Sequence, residues 1–423
     1  MARLQKLVLK PTVVNVVLAL LSVPIAYIFN RGAKNFRPEL VLVLASLLLG
    51  GTVFTIKKII PGQPKIFYGF ALFAFTSVID LLIPLEIDGF VTNFMDMYLK
   101  NGEPYLFSAW GAIAAYWDGT FNLVCYVLMG YYVTNGLPYR NLALFYSSNI
   151  LNSMIVLLLG AFLSHTGLHW CTILNIPYVL LPAYVLWSAL AEPHNQNSSI
   201  SLTRSLRHSV ALLLLAATVL NCIRGISSLG SRVAVMTYYR DSVEPLINQK
   251  IPAPFAGVQG IVCLVYFAPA YLIMAITVHR NAVRGWIKDL AIITSGAALQ
   301  AEVSLLGMAW HPLTQPEHRL APAAACACST LLHVAAHALT LGAPLLVAGM
   351  FFCPALTRAA DADKKEKKDK HERKDKKAKK EKKEKREKKD LEEKKEKKSK
   401  EEKKEKKNKE EKKEKNKQEK KDD

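Results

Sequence analysis

Stretches of about twenty consecutive, mostly apolar residues recur along this chain, the length an α-helix needs to cross the roughly 30 Å hydrocarbon core of a bilayer. Hydrocarbon solvates no backbone N–H or C=O, so a chain built from such runs is confined to helices. The runs fall at Val13–Phe29, Leu40–Ile56, Ile66–Ile87, Leu106–Val133, Leu142–Leu163, Cys171–Leu190, Ser209–Leu229, Phe255–Val278, Ile287–Trp310 and Leu332–Phe352. They predict an all-α, polytopic membrane protein of about ten spans, or about eight or nine if the more polar runs do not cross. Pro61–Gly62, Pro138 and Pro312 mark breaks between runs. The first run has a basic prelude but no small-residue cleavage site before Asn30–Arg31, and it reads as a transmembrane helix, not a leader.

Charge divides the chain in two. Residues 364–423 hold 33 Lys/Arg and 20 Asp/Glu, which is +13 of the net +20 over 423 residues. The basic balance therefore belongs to a Lys-Lys-Glu tail and not to a nucleic-acid-binding face. With almost no apolar residue the tail cannot build a core, and it is expected to be disordered or a single helix supported by i,i+4 pairs. Basic residues near the span ends favour a topology with both termini cytosolic, which also places the Asn197-Ser198-Ser199 sequon in the cytosol. Lys420 and Lys421, just before the final Asp422-Asp423, fit a di-lysine retrieval signal of endoplasmic-reticulum membrane proteins. The seven cysteines form no CxxC pair, so neither a disulfide framework nor a structural metal is expected.

The body repeats at an offset of 141 residues: Gly89 matches Gly230, Met95 Met236, Tyr98 Tyr239, Glu103-Pro104 Glu244-Pro245, and Gly119 Gly260. The third to fifth runs thereby superpose on the seventh to ninth. The chain divides into residues 1–60 with the first two spans, units at 61–195 and 205–355, and a tail at 356–423. Repeats of this kind place sites within or between their units. Asp80 and Asp118 of the first unit become Asn221 and Gln259 in the second, so the first unit keeps its ionisable groups.

An ionisable group at bilayer depth costs about 2.5–3.5 kcal/mol on insertion scales and is a candidate for function. Asp80, Asp118, Glu302 and Arg224 qualify. Asp80, about 20 Å in from the cytosolic end of its span, and Asp118, about 18 Å in from the other end of the antiparallel next one, should reach similar depths. Together they could donate a proton, grip a hydroxyl or hold an amine. A purely structural pair bonded to Ser77, Thr120 or Asn122 is the alternative. Trp110, Tyr116 and Trp117 beside Asp118 would line a flat apolar ligand, or simply pack. Arg224 either functions or snorkels to the interface. His333 and His337, four apart on the last run, lack a third metal ligand.

The segments Phe73-Ala74-Phe75-Thr76-Ser77-Val78-Ile79-Asp80-Leu81-Leu82-Ile83, Gly102-Glu103-Pro104-Tyr105-Leu106 and Tyr116-Trp117-Asp118-Gly119 resemble the transmembrane 6 superfamily in order and spacing. Arg224-Gly225, Glu244-Pro245 and Gln300-Ala301 extend the resemblance across residues 66–310. That family is similar to the EXPERA group of sterol isomerases and sigma-2 receptors. The resemblance implies two EXPERA-like four-helix units around a sterol-sized pocket and a role in lipid homeostasis. It further implies residence in endoplasmic reticulum, Golgi or lysosomal membranes, and support of lipid loading or lipoprotein secretion. The isomerase histidine falls on Thr76, which cannot shuttle protons, and a family histidine in the ninth run falls on Leu305.

The expected ligand set is Thr76, Asp80, Trp110, Tyr116, Trp117, Asp118, Asn221, Gln259 and Glu302, with a membrane lipid or sterol as partner and no cofactor or nucleic acid. The tail would recruit coat or lipoprotein-assembly proteins. A sterol Δ8-Δ7 isomerase-like enzyme and a membrane scaffold with a vestigial pocket are the competing readings.

Overall fold

The computed structural model describes residues 11–192, 200, 202–281, 283–320 and 327–353, with 382, 394–395 and 397–409 of the tail. Asn197, Lys420 and Lys421 lie outside the described residues. The chain divides into Met1–Thr357 and Arg358–Asp423. In the second of these, residues 397–409 are helical and exposed.

The long helices of the body run α1 (Pro11–Gly32, interrupted at Leu21), α2 (Pro38–Ile59), α3 (Lys65–Ile87), α4 (109–134), α5 (Arg140–Phe162) and α6 (Trp170–Ala191). They continue through α7 (Arg204–Ser228), α8 (Phe255–His279), α9 (Gly285–Trp310) and α10 (Ala327–Met350). Their starts follow local chemistry. Pro38 opens α2 in its first turn, where its missing N–H costs nothing. The Ser108 side chain accepts from Gly111 N at the start of α4, and Thr203 accepts from Leu206 N at the start of α7.

Among the described residues, nine helices are long and apolar enough to cross a membrane, and α4 is not one of them. It is nonetheless helical throughout 109–134, switching to a π-helix at Asp118–Asn122. The polar residues Asp118, Thr120 and Asn122 at its middle dilute its apolar content.

Helices α3–α6 pack together, as do α7–α10, and the two groups meet mainly where α5 lies against α9. Gly296 permits that approach, since a Cβ there would strike the Phe145 carbonyl of α5. Helix α1 packs on α3, whereas α2 lies outermost and buries only Val41 and Ile56. Large apolar side chains such as Leu47, Phe54, Trp187 and Leu212 face outward, as hydrocarbon surroundings demand.

Local backbone recurs at the 141-residue offset. Tyr98–Gly102 and Tyr239–Val243 are both π-helical, and Gly89 and Gly230 take φ of 79° and 78°. Glu103 and Glu244 sit at φ, ψ of −136°, 73° and −130°, 73°.

One bidentate ion pair clamps the two helix groups. Arg140 Nη1 and Nη2 meet Asp289 Oδ1 and Oδ2 at 2.6 and 2.8 Å, and Arg140 Nε donates to Ala189 O at 2.8 Å. The clamp joins α5, α9 and α6 in a largely buried setting. Removing one partner of such a pair strands the other, at a cost of about 3–5 kcal/mol. Asp289→Ala is therefore expected to lower the unfolding temperature in detergent, and the apolar double substitution Arg140→Met/Asp289→Leu to restore most of it. A melting curve unchanged by Asp289→Ala would show that the clamp contributes nothing.

Candidate functional site

A cavity of about 200 Å³ lies among α1–α6. Its walls are mostly apolar, including Phe29, Leu48, Ile83, Met95, Trp110 and Leu157. Into it turn the polar residues Thr76, Asp80, Glu103, Asp118, Asn175 and Tyr178. No Lys, Arg or His lines it among the described residues.

Asp80 and Asp118 come into side-chain hydrogen-bond contact across α3 and α4. Tyr178 Oη donates to Asp80 Oδ2 at 3.0 Å. Asp118 accepts from Ser77 Oγ at 2.7 Å, Asn122 Nδ2 at 3.0 Å and Tyr126 Oη at 2.9 Å. Each aspartate is half-buried, and the exposed part lies on the cavity they line. Gly119 makes the contact geometrically available: a Cβ there would lie 2.8 and 2.9 Å from Leu81 Cα and N. The bare glycine lets the α3 backbone approach at Leu81, one residue after Asp80.

Glu103 is a third acid on the cavity. It accepts from Tyr98 Oη at 2.7 Å, from Asn175 Nδ2 at 2.6 Å and from Tyr105 Oη. Burial raises its carboxyl above the usual range against the opposing pull of those donors. Glu103 is absent from the ligand set expected from the sequence, although Tyr98 and Glu103 belong to the pattern that recurs as Tyr239 and Glu244.

The expected ligand set divides. Thr76, Asp80, Trp110 and Asp118 line the cavity, with Trp110 stacked on Phe255 at 4.4 Å. Tyr116 and Trp117 do not. At 100° per residue Tyr116 faces away from the arc of 110, 114 and 118, while Trp117 lies at the edge of that arc beside Trp110. Tyr116 Oη instead donates to Asp88 Oδ2 at 2.8 Å, and Trp117 Nε1 to Asn149 Oδ1 at 3.2 Å. Both border a shallow groove with Trp310. Asn221, Gln259 and Glu302 also lie away from the cavity, Asn221 and Glu302 within the second unit and Gln259 against α5 of the first. Asn221 Nδ2 donates to Ala217 O at 2.8 Å, and Gln259 Oε1 accepts from Asn152 Nδ2 at 3.0 Å.

Glu302 belongs to a buried charge cluster that includes Arg224. That arginine does not snorkel, being 0 % exposed. Its Nε meets Glu244 Oε2 at 2.8 Å and its Nη2 meets Glu244 Oε1 at 2.5 Å, while Nη1 meets Glu302 Oε1 at 2.7 Å. His337 Nδ1 bonds the other Glu302 oxygen. Burial alone would raise the Glu244 carboxyl, but Arg224 beside it prevails and holds it down at about 2. Snorkelling loses to pairing because two carboxylates within reach compensate the guanidinium in place. Glu302 lies 78 residues from Arg224 and could not be paired with it from spacing alone.

Residues 21–200 match the family described as Transmembrane 6 superfamily member 2-like, transmembrane domain. The match supports the transmembrane 6 superfamily. The human Transmembrane 6 superfamily member 2 is 27% identical over 319 residues, covering 72% of this chain and 84% of that protein. The mouse protein of the same name is 28% identical over 324 residues, with the same coverage. No solved structure matches the chain. The part matching the transmembrane 6 superfamily contains every residue of the cavity wall, while Arg224, Glu244 and Glu302 fall beyond it.

Gly119→Ala is expected to force α3 and α4 apart, costing about 1–3 kcal/mol as overpacking does. Gly50→Ala in α2, where nothing lies within 4 Å, serves as the neutral control. Equal melting temperatures for the two variants in detergent would refute the close-approach account of the aspartate pair.

Proposed function

We propose that this protein binds a sterol-like or neutral lipid in the cavity among α1–α6, as a regulator of lipid homeostasis in an internal membrane. The observation that carries the reading is the set of three carboxyl groups, Asp80, Asp118 and Glu103, facing a mostly apolar cavity with no cationic side chain among its described lining residues. Such a site takes a hydroxyl or ammonium group and disfavours an anionic headgroup.

At about 200 Å³ the cavity is smaller than the 300–1,000 Å³ usual for drug-sized ligands. In this reading it encloses the polar end of the lipid. The apolar remainder runs against Ala26 and Phe29 of α1 and Leu48 and Leu49 of α2, which form part of the wall. The resemblance to EXPERA proteins noted from the sequence would favour the same class of ligand. With both termini cytosolic, the membrane is that of the endoplasmic reticulum or Golgi, or alternatively the lysosome.

The isomerase-like reading draws support from one feature, the pair of acids side by side on the cavity wall. Against it stands Thr76 at the position of the isomerase histidine.

Lipids co-purified with the full chain and identified by mass spectrometry test the proposal. A hydroxyl- or amine-bearing lipid should be enriched with the wild type and reduced at least about tenfold with Asp118→Ala, the loss of ~1.4 kcal/mol or more of binding. Identical lipid profiles would refute the pocket. Conversion of a Δ8-sterol, lost in Asp80→Asn, would replace the binding reading with the enzymatic one.

A further inference from the structure

We infer that Glu244, His333 and His337 form a site for one divalent transition-metal ion, with zinc the expected occupant. One carboxylate oxygen and one ring nitrogen from each histidine lie within 4.8 Å of one another, and all three residues are buried. The two imidazoles are already oriented as metal ligands are. His333 Nδ1 is bonded to the Val243 carbonyl at 2.9 Å, and His337 Nδ1 to the Glu302 carboxylate. Backbone carbonyl and carboxylate partners of this kind fix the tautomer of a ligating histidine and turn its other nitrogen toward the ion. Both Nε2 atoms are buried without a hydrogen-bond partner.

The distances suit a small tetrahedral ion. His337 Nε2 lies 3.3 Å from Glu244 Oε1, yet the two do not form a hydrogen bond. Ligands 2.0–2.1 Å from a tetrahedral zinc stand about 3.3 Å apart. Two nitrogens and one oxygen make a donor set that zinc accepts, leaving the fourth position for water.

Charge leaves room for an added cation. Arg224 faces two carboxylates, Glu244 and Glu302, so with both imidazoles neutral the cluster is one positive charge short. A divalent ion overshoots by one charge, as zinc sites with a single carboxylate ligand do. A proton on His337 is the rival compensation, since that ring lies between the two carboxylates. The rival leaves Nε2 of His333 idle, whereas the ion uses it. Both histidines stand on α10 and Glu244 follows the π-helix Tyr239–Val243, so the ion staples α10 to that loop. The Ser329 Oγ contact with Ser242 O ties the same two segments.

The test uses the full chain purified in detergent, stripped with a chelator and titrated with zinc or cobalt alone. The wild type should take up one ion per chain, show the absorption of tetrahedral cobalt, and gain thermal stability with zinc. His333→Gln leaves the Arg224 ion pairs untouched, so it should fold while losing the stoichiometric ion and the cobalt spectrum. Two outcomes overturn the site: no uptake at micromolar free metal, which assigns the missing charge to a proton on His337, or equal uptake by wild type and His333→Gln, which marks an adventitious ion.

Discussion

A charge that enters hydrocarbon must find its compensation inside the protein, and the interior of this bundle is organised by that requirement. The two helix groups meet it differently. In the first, two neighbouring aspartates are ringed by the donors Ser77, Asn122, Tyr126 and Tyr178. In the second, an arginine is closed between two glutamates. The first solution surrounds its carboxyl groups with hydrogen-bond donors, leaves polar atoms on a cavity, and is suited to receive a ligand. The second fills its own space with ion pairs.

The difference reaches down to matched positions. Glu103 and Glu244 share backbone angles and a π-helical lead-in. Glu103 accepts from two tyrosines and from Asn175 on α6, while Glu244 accepts from Arg224 and lies beside His337 on α10. Tyr178, three residues beyond Asn175, reaches Asp80. Thr340, three residues beyond His337, receives Asn221 at 3.5 Å. One scaffold thus holds two chemistries, set by which side chain stands at each of a few equivalent points.

Much of this architecture is legible in the residues alone. Apolar run length gave the helices, because backbone satisfaction in lipid admits little else. The intramembrane carboxylates Asp80 and Asp118 stood out by their insertion cost. Direction and distance escaped reading. Tyr116 and Trp117 neighbour Asp118 in sequence but not on the helix surface, and the π-turn beginning at Asp118 shifts the phase of the helix beyond it. The partners of Arg224 lie 20 and 78 residues away, so their pairing depends on how α7 and α9 both pack against α10. Glu103 carried a signal in its repeated Tyr and Glu-Pro, which charge and position alone did not single out.

The outermost helix, α2, contributes Ala45, Leu48 and Leu49 to the cavity wall while burying only two residues of its own. A partition held by so little contact would be the easiest part of the cavity wall to open sideways. Traffic through it would come from the acyl-chain layer instead of from water, so occupancy would follow the mole fraction of a lipid in its own leaflet and respond to how tightly that leaflet is packed.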